Sequence, residues 1–319
     1  MEFLSIFSKI TLVMSEIFII ALCGFLAFKL KLLSEDNIQG LSKLTINLFL
    51  PCLIFDRLIS GFRFDDSGQW LIYPVLGIVV SLVGLALARI VLVFDKQMQN
   101  KNEFIGLIAF QNCGYLPLML VWRIFPAQVA DSLFINIFLF MLGFNLIFWS
   151  YGVRLLTQQK DKRPKFKRIM NAPLLSVILS LFLLATNLHK LLPGMVTRPA
   201  TLIGGCALPV ALIVVGAALA VSLEQFSGIK KFLLQVVLGK MIILPGMVFL
   251  LLNTLQLPSV MALVILIESA MPSAITLSVV THKQTAGYKI VNQGVLLTHL
   301  AGLVTIPFFM SLYILLAGY

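Results

Sequence analysis

The sequence predicts an all-α integral membrane protein of ten transmembrane helices in two inverted five-helix repeats, with the fourth and ninth helices broken. Three observations predict it. Of 319 residues, 60% are hydrophobic and 12% charged, and the mean hydropathy is +1.02, whereas a soluble domain carries about twice that charge fraction. Apolar runs of about 20 residues, enough to cross a ~30 Å hydrocarbon core at roughly 1.5 Å per residue, recur along the chain. Prolines fall at matching places in its two halves.

The first span is expected at residues 8–29. Lys9 and the apolar run behind it imitate a secretory leader, but Glu16 interrupts the run and no small-x-small cleavage pattern follows, so this segment reads as a retained helix. The second span, 41–60, carries Pro51 in "LFLPCLIF" and ends on Asp56 and Arg57, which read as an interfacial pair. The third, 70–94, holds Pro74. The fourth, 104–123, contains "QNCGYLPL", with Pro117, and ends on Arg123, read as an outer-interface anchor. The fifth is placed at 132–153. Residues 1–153 thus form the first repeat and 154–170 a linker whose "RLLTQQKDKRPKFKR" suits a solvated cytoplasmic segment beside anionic lipid. No Gly-rich phosphate loop accompanies it, which argues against an ATP-driven pump. The second repeat, 171–319, places spans at 171–189, 201–223 with Pro209, 232–252 with Pro245, 259–281 with Pro272 in "ESAMPSAIT", and 292–316.

The net charge of +11 would suggest nucleic acid in a soluble protein, but here the basic residues cluster between the spans. Loops after odd-numbered spans, with their flanks, hold 18 of the 24 Lys and Arg, Lys240 among them; Lys9, Arg57, Arg63, Arg123, Lys190 and Arg198 make up the rest. Positive charge stays in the cytoplasm, so this bias puts the odd loops inside and both termini outside. Cys23, Cys52, Cys113 and Cys206 lie in apolar stretches without metal or redox spacing, and read as buried free thiols.

Pro51 pairs with Pro209, Pro74 with Pro245 and Pro117 with Pro272; Pro51 to Pro117 is 66 residues and Pro209 to Pro272 is 63. Five spans is an odd number, so the second half enters from the opposite side. Interrupted helices at equivalent places of inverted halves point to the midplane site of a secondary transporter. A proline removes one N–H and displaces the carbonyl four residues earlier. Half-helices starting near Pro117 and Pro272 would present unpaired N–H groups and partial positive charge to an anion. Gln111, Asn112, Gly114 and Tyr115 on one helix, with Ser269 and Ser273 on the other, are the candidate substrate contacts beside the two prolines. Asn112 has the alternative of mending its own helix.

Four polar groups inside the spans are candidates for coupling or gating. Glu268 lies one turn before Pro272 and Glu16 sits within the first span, where a charge costs about 2.5–3.5 kcal/mol on insertion scales. His299, near Thr298 and Asn292, suits proton relay, cavity lining or plain packing. Asp65-Asp66 and the scattered His189, His282 and His299 form no catalytic constellation, so the chain reads as neither an enzyme nor a metal or cofactor protein. A receptor without transport is the remaining alternative from another class.

"LTINLFLPCLIF", "QNCGYLPL", "NAPLL", "LPVALIVVGAALA" and "AMPSAITLSVVTHKQTAGYKIVNQGVLLTHLAGLVTIP", in that order over essentially the whole chain, resemble the auxin efflux carrier family. The likeness is to its bacterial branch, similar to plant PIN-type auxin carriers and to malonate or malate transporters. It implies a fold like that of bile-acid sodium symporters, with spans four and nine crossing at their prolines. It also implies an elevator mechanism, with spans one, two, six and seven as scaffold and the rest as transport domain. A homodimer in the bacterial inner membrane and a small organic anion as substrate follow from the same likeness. Glu268 leaves H+ or Na+ open as coupling ion, and sodium-coupled anion symport or cation/proton antiport is the alternative within transport. Asn112 and Pro117 then fall on the first crossover and Pro272 on the second. Leu116 departs from the small residue that often precedes the first proline in the family.

Overall fold

The computed structural model describes residues 2–64, 69–157, 171–224, 230–255, 257–281 and 286–317. Most of the basic linker, Asp65-Asp66 and His282 lie outside these. The described residues form helices and connections, and their one β-type contact is a bridge between Gln111 and Ser273.

Helix α1 (Glu2–Lys29) sets an acid in its first turn and a base in its last, each complementing the helix dipole. Its buried residues, Ile10, Met14, Ile17, Ala21 and Gly24, form one stripe, while Leu12, Ile19, Leu22 and Leu26 are exposed on the opposite side. Both faces are apolar, as a helix between protein and lipid requires. Helix α2 (Glu35–Gly61) starts at a capping box in which Ser34 Oγ accepts from Asn37 N–H at 3.2 Å. It continues through a π turn at Thr45–Phe49. The widened turn absorbs Pro51, whose ring would otherwise press on the carbonyl of Asn47.

Helix α3 (Gln69–Phe94) takes Pro74 in its opening turns, where a missing N–H costs nothing. Short helices α4 (Lys101–Ala109) and α5 (Tyr115–Ile124) follow, separated by five non-helical residues. Next come α6 (Ala127–Thr157) and α7 (Ala172–Ala185), the latter capped by Asn171, whose side chain accepts from Leu174 N–H at 3.0 Å. Helix α8 (Gly194–Leu223) turns at Cys206, three residues before Pro209. Helix α9 (Lys230–Thr254) widens at Gly239–Ile243 ahead of Pro245, as α2 does ahead of Pro51. Helices α10 (Ser259–Ala270) and α11 (Thr276–Val280) flank a second break, and α12 (Ala286–Ala317) ends the described chain.

Seven of these helices, α1, α2, α3, α6, α8, α9 and α12, are long and apolar enough to cross a membrane. The shorter α4 and α10 are sunk in the protein: every residue of α10 from Met261 to Ala270 is buried, as is all of α4 from Glu103 to Ala109. Phe110, Phe144 and Phe148 stack around the first break, with ring centroids 5.2–6.1 Å apart.

Two helix pairs approach closely through reciprocal glycines. A Cβ on Gly216 of α8 would land on the carbonyl of Ala21 in α1, and one on Gly24 of α1 would strike the backbone of Ile213 in α8. Gly143 of α6 and Pro74 of α3, with Gly77 and Phe140 in return, repeat the arrangement. Lipid tails give helices no hydrophobic reason to associate, so backbone-to-backbone packing supplies the attraction. At one end of α3, Asp95 accepts from Gln235 at 3.0 Å and pairs with Lys231 of α9 at 2.7 Å. These two partners, Lys231 first, hold the Asp95 carboxyl below its ordinary range.

Two sequence expectations are corrected here. Asp56 and Arg57 do not pair: consecutive helical side chains do not face each other. Arg57 instead donates to Asp131 of α6 at 2.6 Å and lies 5.1 Å from the Phe134 ring, while Asp56 accepts from Thr201 of α8 at 2.5 Å. All four cysteines are free, but only Cys113 is buried; Cys23 and Cys206 are exposed and Cys52 is partly covered, because their helices turn those positions outward.

The glycine contacts yield a paired test. Gly143→Ala lowers stability by about 1–3 kcal/mol, since the added methyl has only backbone to displace. Gly205→Ala, with nothing within 4 Å, leaves it unchanged. Thermal unfolding of both variants in detergent reads the difference.

Candidate functional site at the crossing of two broken helices

The first break has a definable cause. With Pro117 in the opening turn of α5, its ring excludes the carbonyl of Cys113 from a helical position. The preceding helix ends at Phe110, which takes an extended conformation at φ −112°, ψ 109°. The second break follows the other proline rule: the residue before a proline is driven out of the helical region, and Met271, before Pro272, sits at φ −68°, ψ 145°. Pro272 therefore lies inside its break, whereas Pro117 lies just beyond its own.

The two breaks lie across each other antiparallel. Asn112 N–H donates to the Pro272 carbonyl at 2.8 Å and Ala274 N–H to the Phe110 carbonyl at 2.9 Å. Between these bonds Gln111 faces Ser273. Ser273 N–H donates to Thr298 Oγ1 of α12 at 3.2 Å, and Ser273 Oγ donates to the Leu107 carbonyl at 2.6 Å. Each break thus completes the other's backbone hydrogen bonds. The backbone amides of Asn112, Ser273 and Ala274 are used in this pairing.

Side chains remain. Gln111 and Glu268 are fully buried and Asn112, Asn292 and His299 nearly so. Both amide atoms of Gln111, both carboxylate oxygens of Glu268, Asn112 Nδ2 and His299 Nε2 have no hydrogen-bond partner. The ring Nδ1 of His299 lies 2.8 Å from the Val295 carbonyl, which fixes the ring on α12. Ser269 Oγ donates to its own helix, to the Leu266 carbonyl at 2.9 Å. Gly114 is buried and Tyr115 half-buried at the start of α5. Asn112, Leu116 and His299 form one wall of a narrow cleft; Ile17, Phe18 and Ala21 of α1 with Leu212, Val215 and Leu219 of α8 form the other. It has room for about one water molecule.

Glu16 stands apart. It forms a partly exposed ion pair with Arg123 at the end of α5, so it is not buried in the crossing. Lys240 is the residue that sequence reasoning missed. Counted from sequence among the cytoplasmic flanks, it is fully buried in the π turn of α9, and its ammonium has no hydrogen-bond partner. The signal was its place in the middle of an apolar run. Among the described residues no three His, Cys, Asp or Glu come together as metal ligands.

A family model described as "Membrane transport protein" matches residues 10–167 and 161–310. The chain is similar to an uncharacterized transporter of Schizosaccharomyces pombe, at 28% identity over 171 residues, 47% of this chain and 37% of that one. It is 35% identical to the PIN-LIKES 2 protein of Arabidopsis thaliana over 94 residues, 29% of this chain and 21% of the relative. An uncharacterized transporter of Saccharomyces cerevisiae matches at 28% over 165 residues, 48% of this chain and 28% of its own length. The aligned stretches thus span well under half of each relative.

Thr298 tests the crossing. Thr298→Val strands the buried Ser273 N–H and costs about 1–3 kcal/mol of stability. Thr298→Ser keeps the acceptor and most of the stability, as thermal unfolding of the purified variants would register.

Proposed function

The chain belongs to the membrane transport protein family, the auxin efflux carriers that its sequence resembles, and from that premise we propose that it is a secondary carrier of small organic anions. Carboxylates such as auxin-like acids, malonate or malate are the substrate class, and alternating access of the elevator type is the mechanism. The observation that carries this reading is the cleft, which has the crossing on one side and α1 with α8 on the other. Asn112 Nδ2, buried and unpartnered, is the donor that meets the carboxylate, with Gln111, Gly114 and Tyr115 around it. A cleft this narrow belongs to a closed carrier, and it admits substrate when the crossing slides along the α1–α8 wall.

Ten spans in two inverted repeats fit the helix order, with α4–α5 and α10–α11 as the broken fourth span of each half. The glycine contacts support the division of labour. The α1–α8 pair lies within the scaffold (α1, α2, α7, α8), and the α3–α6 pair within the transport domain (α3–α6, α9–α12). Between the two groups stand ion pairs, Glu16–Arg123 and Arg57–Asp131, which break and remake more readily than packed backbones. The positive-inside bias persists without Lys240, keeping the odd loops cytoplasmic, and the family likeness extends the proposal to a homodimer. Exporting one carboxylate charge from a negative interior gains about 2.3 kcal/mol per 100 mV, and importing a dianion opposes about twice that. Export therefore needs no coupling ion.

Proteoliposomes with a panel of labelled carboxylates test the proposal. The wild type moves at least one, and Asn112→Asp, which sets a negative charge against the anion, cuts that flux about tenfold or more while the protein stays folded. A panel in which nothing moves, or an unchanged Asn112→Asp flux, ends the reading.

A further inference from the structure

Lys240 and Glu268 are a buried amine and a buried carboxyl that the substrate cleft does not use. Glu268 occupies the last turn of α10, where the second break begins. Lys240 sits in the π turn of α9, a distortion often found at functional positions. That turn is pressed against the end of α4: a Cβ on Gly239 would lie 2.9 Å from the Ile108 side chain, two residues before the first break. Both side chains have no solvent exposure. The Gln111 amide lies near enough to Glu268 to act on it as a hydrogen-bonding neighbour, short of a well-formed bond. Lys240 acts on Glu268 as a charge, and Glu268 and Cys113 act on Lys240. Yet neither carboxylate oxygen nor the ammonium closes a hydrogen bond. Each is thus among the charges that act on the other, with no ion pair closed between them. Among the described residues the other buried acidic or basic side chains are Glu103, at the far end of α4, and His299, on the cleft.

A lone buried carboxylate is expensive and must be neutralised by a proton, a metal cation or a fixed positive charge. Here the fixed charge is part of the chain. We propose that Lys240 is a tethered counter-cation, standing in for a coupling ion, and that without it Glu268 and Gln111 form a monovalent-cation site open to Na+ or H+. A sodium ion would be held by carboxylate and amide oxygens, the hard ligands it favours, and a proton by the carboxylate alone. Because the ammonium cannot leave, the wild type completes its cycle with no ion from solution. This deepens the carrier reading, on which its transport arm rests.

The test is Lys240→Met, which keeps the side-chain length and removes the charge. Thermal stability in detergent is measured in sodium chloride and in choline chloride, at neutral and acidic pH, and carboxylate flux is measured in liposomes under the same conditions. Wild-type stability and flux are expected to be the same in both salts. Lys240→Met is expected to gain a sodium response of about fivefold or more in flux, with a parallel rise in melting temperature; a response to acid alone identifies the proton as the ion taken. Lys240→Met/Glu268→Gln, with both charges removed, returns to indifference. A wild type that needs sodium, or a folded Lys240→Met that responds to neither ion more than the wild type, overturns the proposal. If Lys240→Met fails to fold, recovery of the double variant supports the pairing and its loss refutes it. A wild type that moves no carboxylate removes the transport arm and the carrier reading together, while the melting temperatures still decide the cation site.

Discussion

Backbone amides and carbonyls at membrane depth must find partners inside the protein, and the interior of this molecule is arranged around that constraint. Two prolines break two helices where no water is at hand. The breaks are tolerable because they cross, so that Phe110 and Asn112 satisfy Ala274 and Pro272, with Ser273 tied to Leu107 and Thr298. Everything nearby follows from holding that crossing in place. Helices α4 and α10 are sunk out of reach of lipid, and phenylalanine rings pack around the first break. The polar side chains left over are those the crossing does not consume.

Much of this was legible in the sequence because its causes are local. Apolar run length located the helices, and Pro117 and Pro272 marked the breaks to within a few residues. What sequence could not give was the use made of the freed groups. "QNCGYLPL" announces unpaired amides, but whether they meet a ligand or another break depends on a segment far along the chain. Pro117 was legible as the start of a half-helix, and it lies in the first turn of the helix beyond the disruption. Pro51 and Pro245 look like breaks of the same kind, yet each is absorbed by a π turn.

Charged residues were the least legible, since a charge in an apolar run has several remedies. Glu16 took Arg123 on another helix, Arg57 took Asp131, and Asp56 took Thr201. Lys240 looked like a topological marker because basic residues usually are; its neighbour Glu268 lies 28 positions later and shares no sequence pattern with it. Pairings of this kind are properties of the packed molecule. Glycines were equally silent: Gly143 and Gly205 look alike in sequence, while one lies against backbone and the other against nothing.

The crossing also bears on how such a chain is made. The partners of Phe110 and Asn112 lie about 160 residues downstream, so during synthesis the first break enters the bilayer before its complement exists. Until then the exposed amides must be shielded by water, by the insertion machinery or by a provisional fold. The first half is therefore an unfinished object, and assembly of the core is paced by the arrival of α10 and α12. Long-range closure of this sort is slow and prone to misassembly. The residues that secure the centre of the finished protein are also the ones its birth leaves unprotected longest.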